Sequence, residues 1–210
     1  MIIAIDGLCI NGKTTLAKMI SDKLKFKNFG AGSVYRCIAL EIINKNLDIS
    51  DIQNVLKELE NFDIDFIENR VILNNKDVTR EIKTPEITLK STVWGAIPEI
   101  KVFVRKIQKD FIKKYDTVME GRDICTRVAP DAEVKFYLYS DFEIRVQRAL
   151  KDNPNLTIQE VSKNIKRIDD LDLNTGLFIM PENAIEIDTT NKILDEVFEI
   201  MMTEINKKLV

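Results

Sequence analysis

Residues 7–14 read Gly-Leu-Cys-Ile-Asn-Gly-Lys-Thr. This matches the phosphate-loop pattern G-x-x-x-x-G-K-[ST]. The apolar run Ile2 to Ile5 precedes it and predicts a buried strand. Leu16, Ile20 and Leu24 follow at four-residue spacing, which predicts a helix directly after the loop. A strand, a glycine-bounded loop and a helix N-terminus together point backbone N–H groups at phosphates. The expected phosphate-binding set is Gly7, Leu8, Cys9, Ile10, Asn11, Gly12, Lys13, Thr14 and Thr15. Lys13 can reach the outer phosphates, and the Thr14 hydroxyl can hold Mg2+.

Composition narrows the remaining classes. A chain of 210 residues, 45% hydrophobic and 31% charged, can bury one good core. A net charge of −3 gives no nucleic-acid footprint, so positive charge for phosphates must be local. Three cysteines without a C-x-x-C pair argue against a disulfide framework or a zinc site. There is no histidine, which removes the usual general base. Met1 to Ile5 is too short for a signal peptide, and no run approaches the ~20 apolar residues of a membrane span. A reducing cytoplasm and no membrane partner are expected.

Outward from the loop, strand and helix patterns alternate, which predicts an α/β fold with a parallel sheet between helices. Lys25 to Phe29, Thr117 to Met119, Val134 to Tyr139 and Ala184 to Ile187 are the further expected strands. Gly30-Ala31-Gly32 is expected to break the chain before a helix from about Ser33 to Asn44. Ser50 with Gln53, and Thr157 with Glu160, read as helix-start capping boxes, and Thr84-Pro85 as a cap followed by proline at the first helical position. Residues 62–80 alternate differently: Ile64 and Phe66, a polar turn at Glu68-Asn69-Arg70, then Val71-Ile72-Leu73 predict a small antiparallel meander inserted in the main domain.

Four further places carry unusual residues. Arg36 lies in the first turns of a predicted helix, where it could fork onto a phosphate. Glu120-Gly121-Arg122-Asp123 follows a predicted strand at its carboxyl end, the edge where open α/β sheets bind ligands. Glu120 could hold Mg2+ through water, Arg122 a phosphate, and Asp123 a base or sugar. Arg145 and Arg148 share a helix face. Lys163, Lys166 and Arg167 run into Asp169, Asp170 and Asp172, a charged stretch that unaided reads as a solvated helix end.

The order of these pieces resembles the cytidylate kinase family of nucleoside monophosphate kinases. The matching segments are Asp6-Gly7 through Gly12-Lys13-Thr14-Thr15, Gly32-Ser33-Val34-Tyr35-Arg36, Asp77 through Glu81-Ile82-Lys83-Thr84, Glu120-Gly121-Arg122-Asp123-Ile124 with Pro130-Asp131-Ala132, and Ile187-Asp188-Thr189-Thr190. The resemblance implies a phosphate-loop three-layer sandwich with five parallel strands in order 2-3-1-4-5. It implies one kinase domain: a core of residues 1–61, 81–150 and 176–210, the insertion 62–80 and a lid 151–175. It implies γ-phosphoryl transfer from ATP, with Mg2+, to CMP or dCMP by a monomer whose partners are small nucleotides.

The resemblance also implies residue roles. Lys13 and the loop bind donor phosphates, Arg36 and Arg122 the acceptor phosphate, and Asp123, Thr92 and Lys101 the cytosine. Asp172 contacts the ribose, and Arg145 and Arg148 face the donor. Lys101, Cys125, Ile168 and Thr175 stand where the family has arginine, glycine, arginine and arginine. With two lid arginines gone, Arg148 and Arg167 are expected to supply the transition-state charge. Two alternatives follow from these departures: a phosphate-loop kinase for another small acceptor, or a catalytically weak nucleotide-binding protein.

Overall fold

Along the chain run β1 (Ile2–Gly7), α1 (Lys13–Leu24), β2 (Lys27–Gly30), α2 (Ala31–Asn44) and α3 (Ile52–Glu58). Then come β3 (Ile64–Ile67), β4 (Arg70–Leu73), β5 (Lys76–Asp77), a 3-10 turn at Glu81–Lys83, α4 (Pro85–Trp94) and α5 (Pro98–Ile112). The remainder is β6 (Thr117–Glu120), a wide π-type turn at Ile124–Val128, β7 (Val134–Tyr139), α6 (Phe142–Asp152), α7 (Ile158–Asn174), β8 (Ile185–Asp188) and α8 (Leu194–Leu209). This computed structural model describes residues 1–67, 70–174 and 180–209. Thr175, and Glu68 and Asn69 of the expected turn, lie outside the described residues. The chain divides into two compact units, Met1–Lys27 with Tyr115–Val210, and Asn28–Lys114.

The sheet is five-stranded, in the order β2-β6-β1-β7-β8. Counting only these strands along the chain, that order is 2-3-1-4-5. In the first unit β1 is central. It runs parallel to β6, with Ile5 opposite Glu120, and to β7, with Gly7 opposite Leu138. The register sets Gly7 beside Leu138 and Glu120 two residues lower, beside Ile5, so that the carboxyl ends of these strands position the site. Strands buried on both faces must be apolar throughout. Ile3, Ile5, Val118, Val134, Phe136, Leu138 and Ile187 pack with Leu16, Ala17 and Ile20 of α1 and with Val197, Met201, Met202 and Ile205 of α8. Truncating one such isoleucine, Ile20 for instance, costs roughly 2–5 kcal/mol.

α7 opens with the expected capping box. The Glu160 N–H donates to Thr157 Oγ1 (3.2 Å), and the Thr157 N–H donates to Glu160 Oε2 (2.8 Å). Before α8 the chain turns on Asp188, whose carboxylate accepts the Thr190 N–H at 2.9 Å.

In the second unit β3, β4 and β5 form the small antiparallel sheet, with Ile64 opposite Leu73 and Phe66 opposite Val71. Phe29, Phe66 and Phe111 cluster, with ring centroids 4.8, 4.8 and 6.1 Å apart. Thr84 caps α4 by accepting the Ile87 N–H, and Pro85 occupies the first turn. Two starts differ from the sequence expectation. α3 is capped by Asp51, which accepts the Asn54 N–H at 3.1 Å, and Ser50 stays in the preceding turn held by Asp48. A carboxylate one residue later competes successfully with the hydroxyl because it is the stronger acceptor. α2 begins at Ala31, so Gly30 is the cap and Gly32 lies inside the first turn, where glycine costs less than in a helix interior.

Candidate active site

The loop is built by backbone conformations that two glycines permit. Gly7 has φ +142°, and a Cβ there would come within 2.0 Å of the Leu138 carbonyl oxygen on β7. Gly12 is left-handed (φ +79°) and caps α1 without any side-chain bond. Among the described residues the first N–H groups of α1 thus have no capping side chain, which leaves them open to an anion. Behind them Asn11 is buried. Its Nδ2 donates to the carbonyl oxygens of Leu138 (3.2 Å) and Leu8 (3.4 Å), and its Oδ1 accepts the Ser140 hydroxyl.

Lys13 is only 5% exposed, and its ammonium donates to the Leu8 carbonyl at 2.5 Å. Burial pulls its pKa down to about 7, and the Arg122 charge adds to the fall against the opposing pull of Glu120, Cys9 and Asp6. Thr14 Oγ1 donates to Glu120 Oε1 at 3.3 Å, so hydroxyl and carboxylate face one another at the mouth of the loop.

Asp6, fully buried, accepts the N–H groups of Ile124 (3.0 Å) and Cys125 (2.7 Å). It thus pins the start of the π-type turn beside the phosphate loop, and the turn presents Arg122 and Asp123. Cys125 is buried there, its thiol 3.7 Å from the Phe136 carbonyl and pushed up by burial and by Asp6. Arg122 Nε donates to Asp172 of α7 at 2.6 Å, and its Nη1 donates to the Gly7 carbonyl at 3.2 Å. Asp123 sits 3.7 Å from the Arg127 guanidinium.

The two α6 arginines face inward. Arg145, 4% exposed, forks onto Asp169 of α7 at 3.0 and 2.7 Å and donates to Cys9 Sγ at 3.5 Å. Arg148 donates to Thr189 Oγ1 (3.0 Å), the Thr189 carbonyl and Ser140 Oγ (3.5 Å). Arg167 is exposed on α7. Ile168 packs with Ile10 against the apolar cluster of Cys9, Val146, Ala149, Val161 and Ile165. The first unit thus gathers Lys13, Thr14, Glu120, Arg122, Asp123 and Asp172 around the loop, Arg145 touches the loop at Cys9, and Arg148 is tied to Ser140 and Thr189. In the second unit Arg36 is half-buried in the second turn of α2. The Thr92 hydroxyl donates to the Thr88 carbonyl of its own helix (2.9 Å), and Lys101 is buried on α5.

Sequence reasoning gave no role to Asp169, Ser140 or Thr189. Asp169 sat inside a charge run that reads as solvated. The one usable signal was its three-residue spacing from Asp172, which puts both on one helix face.

Fold and loop define a phosphate-loop nucleotide-binding protein of the α/β class. The family model for cytidylate kinase matches residues 3–207. The chain belongs to the cytidylate kinase family. It is 36% identical over 203 residues to a cytidylate kinase of Clostridium botulinum, covering 94% of each chain. To those of Clostridioides difficile and Caldanaerobacter subterraneus it is 32% and 36% identical, covering 98% of this chain and 98% and 94% of theirs. Among solved structures, a Thermus thermophilus protein matches with TM-score 0.51 at 16% identity, over 100% of this chain and 98% of that one. An uncharacterized protein of Eubacterium ventriosum matches with TM-score 0.50 at 13% identity, over 99% and 98%. At that identity these two speak to the fold alone. Among the described residues no helix is long and apolar enough to cross a membrane.

Proposed function

We propose that this chain transfers the γ-phosphoryl group of ATP to CMP and dCMP, giving CDP and dCDP. The observation that carries the reading is the buried Lys13 ammonium at the loop, with the Thr14–Glu120 pair at its mouth, in a member of this family. An acceptor phosphate oxygen attacks the γ-phosphorus, the bond from γ-phosphorus to the bridging oxygen breaks, and ADP leaves. No covalent intermediate on the protein is needed, so positioning and charge neutralisation do the catalysis.

Lys13 exchanges the Leu8 carbonyl for the outer phosphates, and the N–H groups of residues 7–15 cradle the donor. Thr14 Oγ1 and Glu120 Oε1 are an all-oxygen set of the kind Mg2+ accepts, leaving its other positions to phosphates and water. Bound there, Mg2+ would neutralise charge on the outer phosphates. On the acceptor side the proposed roles are Arg122 (phosphate), Asp123 (cytosine amino group) and Asp172 (ribose) in the first unit. In the second they are Arg36 (phosphate), and Thr92 and Lys101 (cytosine). Arg145 and Arg148 serve the donor side, and Arg148 with Arg167 supplies transition-state charge. The reading carries with it a monomer that acts in the cytoplasm within a single kinase domain, its lid at 151–175.

ADP release measured over CMP, dCMP, UMP and AMP tests it. CMP and dCMP should lead. Equal rates with UMP would defeat cytosine reading, and tight ATP binding with no turnover would establish a nucleotide-binding protein instead. One observation favours that second reading: Ile168, at a position where the family has arginine, is spent on apolar packing.

A further inference from the structure

α7 reaches the phosphate loop twice, through two acids on one face. Asp172 holds Arg122, which donates to Gly7; Asp169 holds Arg145, which donates to Cys9. The second relay closes on itself, because the Cys9 thiol donates to Asp169 Oδ1 at 3.5 Å. Around it Cys9 and Ile10 pack against Val161, Ile165 and Ile168 of α7 and Val146 of α6. The Arg145 Nε is buried with no partner among the described residues, and its guanidinium lies 5.5 Å from the Phe142 ring centroid. Among the described residues its hydrogen-bond acceptors are Asp169 and Cys9.

We propose that Asp169 is a positioning residue for the donor side of the site, holding Arg145 and Cys9 so that the phosphate loop keeps its nucleotide-binding shape. Asp172 acts on Arg122, a separate cation that touches the loop at Gly7. The two acids, three residues apart, therefore serve different substrates: Asp169 the donor, Asp172 the acceptor. A loop braced at Cys9 presents its N–H groups in fixed directions, and a bidentate fork is what fixes direction. Removing the carboxylate charge keeps the volume of the side chain and loses the fork.

This rests on the reading that the loop takes ATP and the 122–123 turn takes CMP. The test is direct binding of ATP with Mg2+, and of CMP alone, by calorimetry, with steady-state constants alongside. Asp169→Asn should raise the Kd for ATP at least fivefold and leave the Kd for CMP within twofold. Arg145→Lys, which keeps a cation but not the fork, should show the same split, and the double variant should be no worse than the poorer single one. A lowered Tm with an unchanged ATP Kd would make Asp169 merely structural and overturn the proposal. So would equal losses for ATP and CMP. Should Asp169→Asn not fold, Asp169→Glu is read by the same two constants. A parent that binds ATP but never phosphorylates CMP defeats the functional reading alone, since the ATP Kd still reports on Asp169.

Discussion

In the phosphate loop a cation is buried and underpaired: Lys13 leans on a backbone carbonyl with Arg122 close enough to repel it. On α7 the cation Arg167 stands in solvent, and it is the acids beside it that turn inward onto arginines. The loop keeps its positive charge at a cost that a phosphate relieves. The helix instead sets its carboxylates on arginines, which are thereby held in fixed directions. The difference separates a cation left without a carboxylate fork from cations whose direction the protein has already set.

The sharpest way to break this contrast is Lys13→Ala. Removing a preorganised charge from the transition state costs ~10²–10³ in rate. The variant should fold with a Tm no lower than the parent, because a buried and poorly compensated charge has gone. A rate within about threefold of the parent would put the chemistry elsewhere.

Next in size is Asp123→Ala. Leaving the cytosine amino group unpaired in the site costs about 1–3 kcal/mol, which reads as a rise of roughly tenfold in KM for CMP with KM for ATP little changed. Equal changes in both constants would remove Asp123 from cytosine reading.

Arg167→Ala and Arg148→Ala compare an exposed cation with a tied one. Each should lower kcat by about tenfold, as partial losses of a finger whose full value is ~10³ or more. Only Arg148→Ala should also lower Tm by several degrees, since it abandons Thr189 and Ser140. If both turn over like the parent, neither supplies the missing lid charge. Asp172→Asn should shift the ratio of kcat/KM for CMP over dCMP by a few-fold, and an unchanged ratio would take it off the ribose.

The smallest effect is a proton count. Lys13 titrates at about 7 in place of its ordinary 10.5. Between those values the unfolded chain holds the extra proton, so this residue makes stability rise as pH rises through the window. Phosphates favour the ammonium and raise its pKa, so ATP binding near pH 8 should take up close to one proton. Calorimetry in buffers of different ionisation enthalpy measures it, and Lys13→Met should abolish both the uptake and the slope. Uptake that survives in that variant belongs to another group.

Residues 2–24 were legible because most of what the loop needs lies within a few residues along the chain: an apolar strand, glycines at two of the loop's three positive φ angles, a lysine and a hydroxyl at the helix start; the third, at Ile10 (φ +60°), gave no signal. The cap at Thr157–Glu160 was legible for the same reason. The alternation of apolar runs with amphipathic stretches determined the α/β class, since both periods follow from local backbone geometry. Ser50 was misread because Asp51 beside it is the stronger acceptor, a competition that pattern alone does not settle.

What lay out of reach was partnership across distance. Asp169 meets Arg145 and Cys9 across 24 and 160 positions. Arg148 meets Thr189 across 41, and Ser140 meets Asn11 across 129. Neutralisation of a charge depends on which opposite charge is brought within ~3 Å, and burial on which faces close over it. Sequence by itself determined that the chain carries a phosphate loop on an α/β scaffold. Which carboxylate or carbonyl each arginine meets was decided only by the packing of α6 and α7 on one another and on the loop, because electrostatic energy falls with distance and distance is a property of the fold.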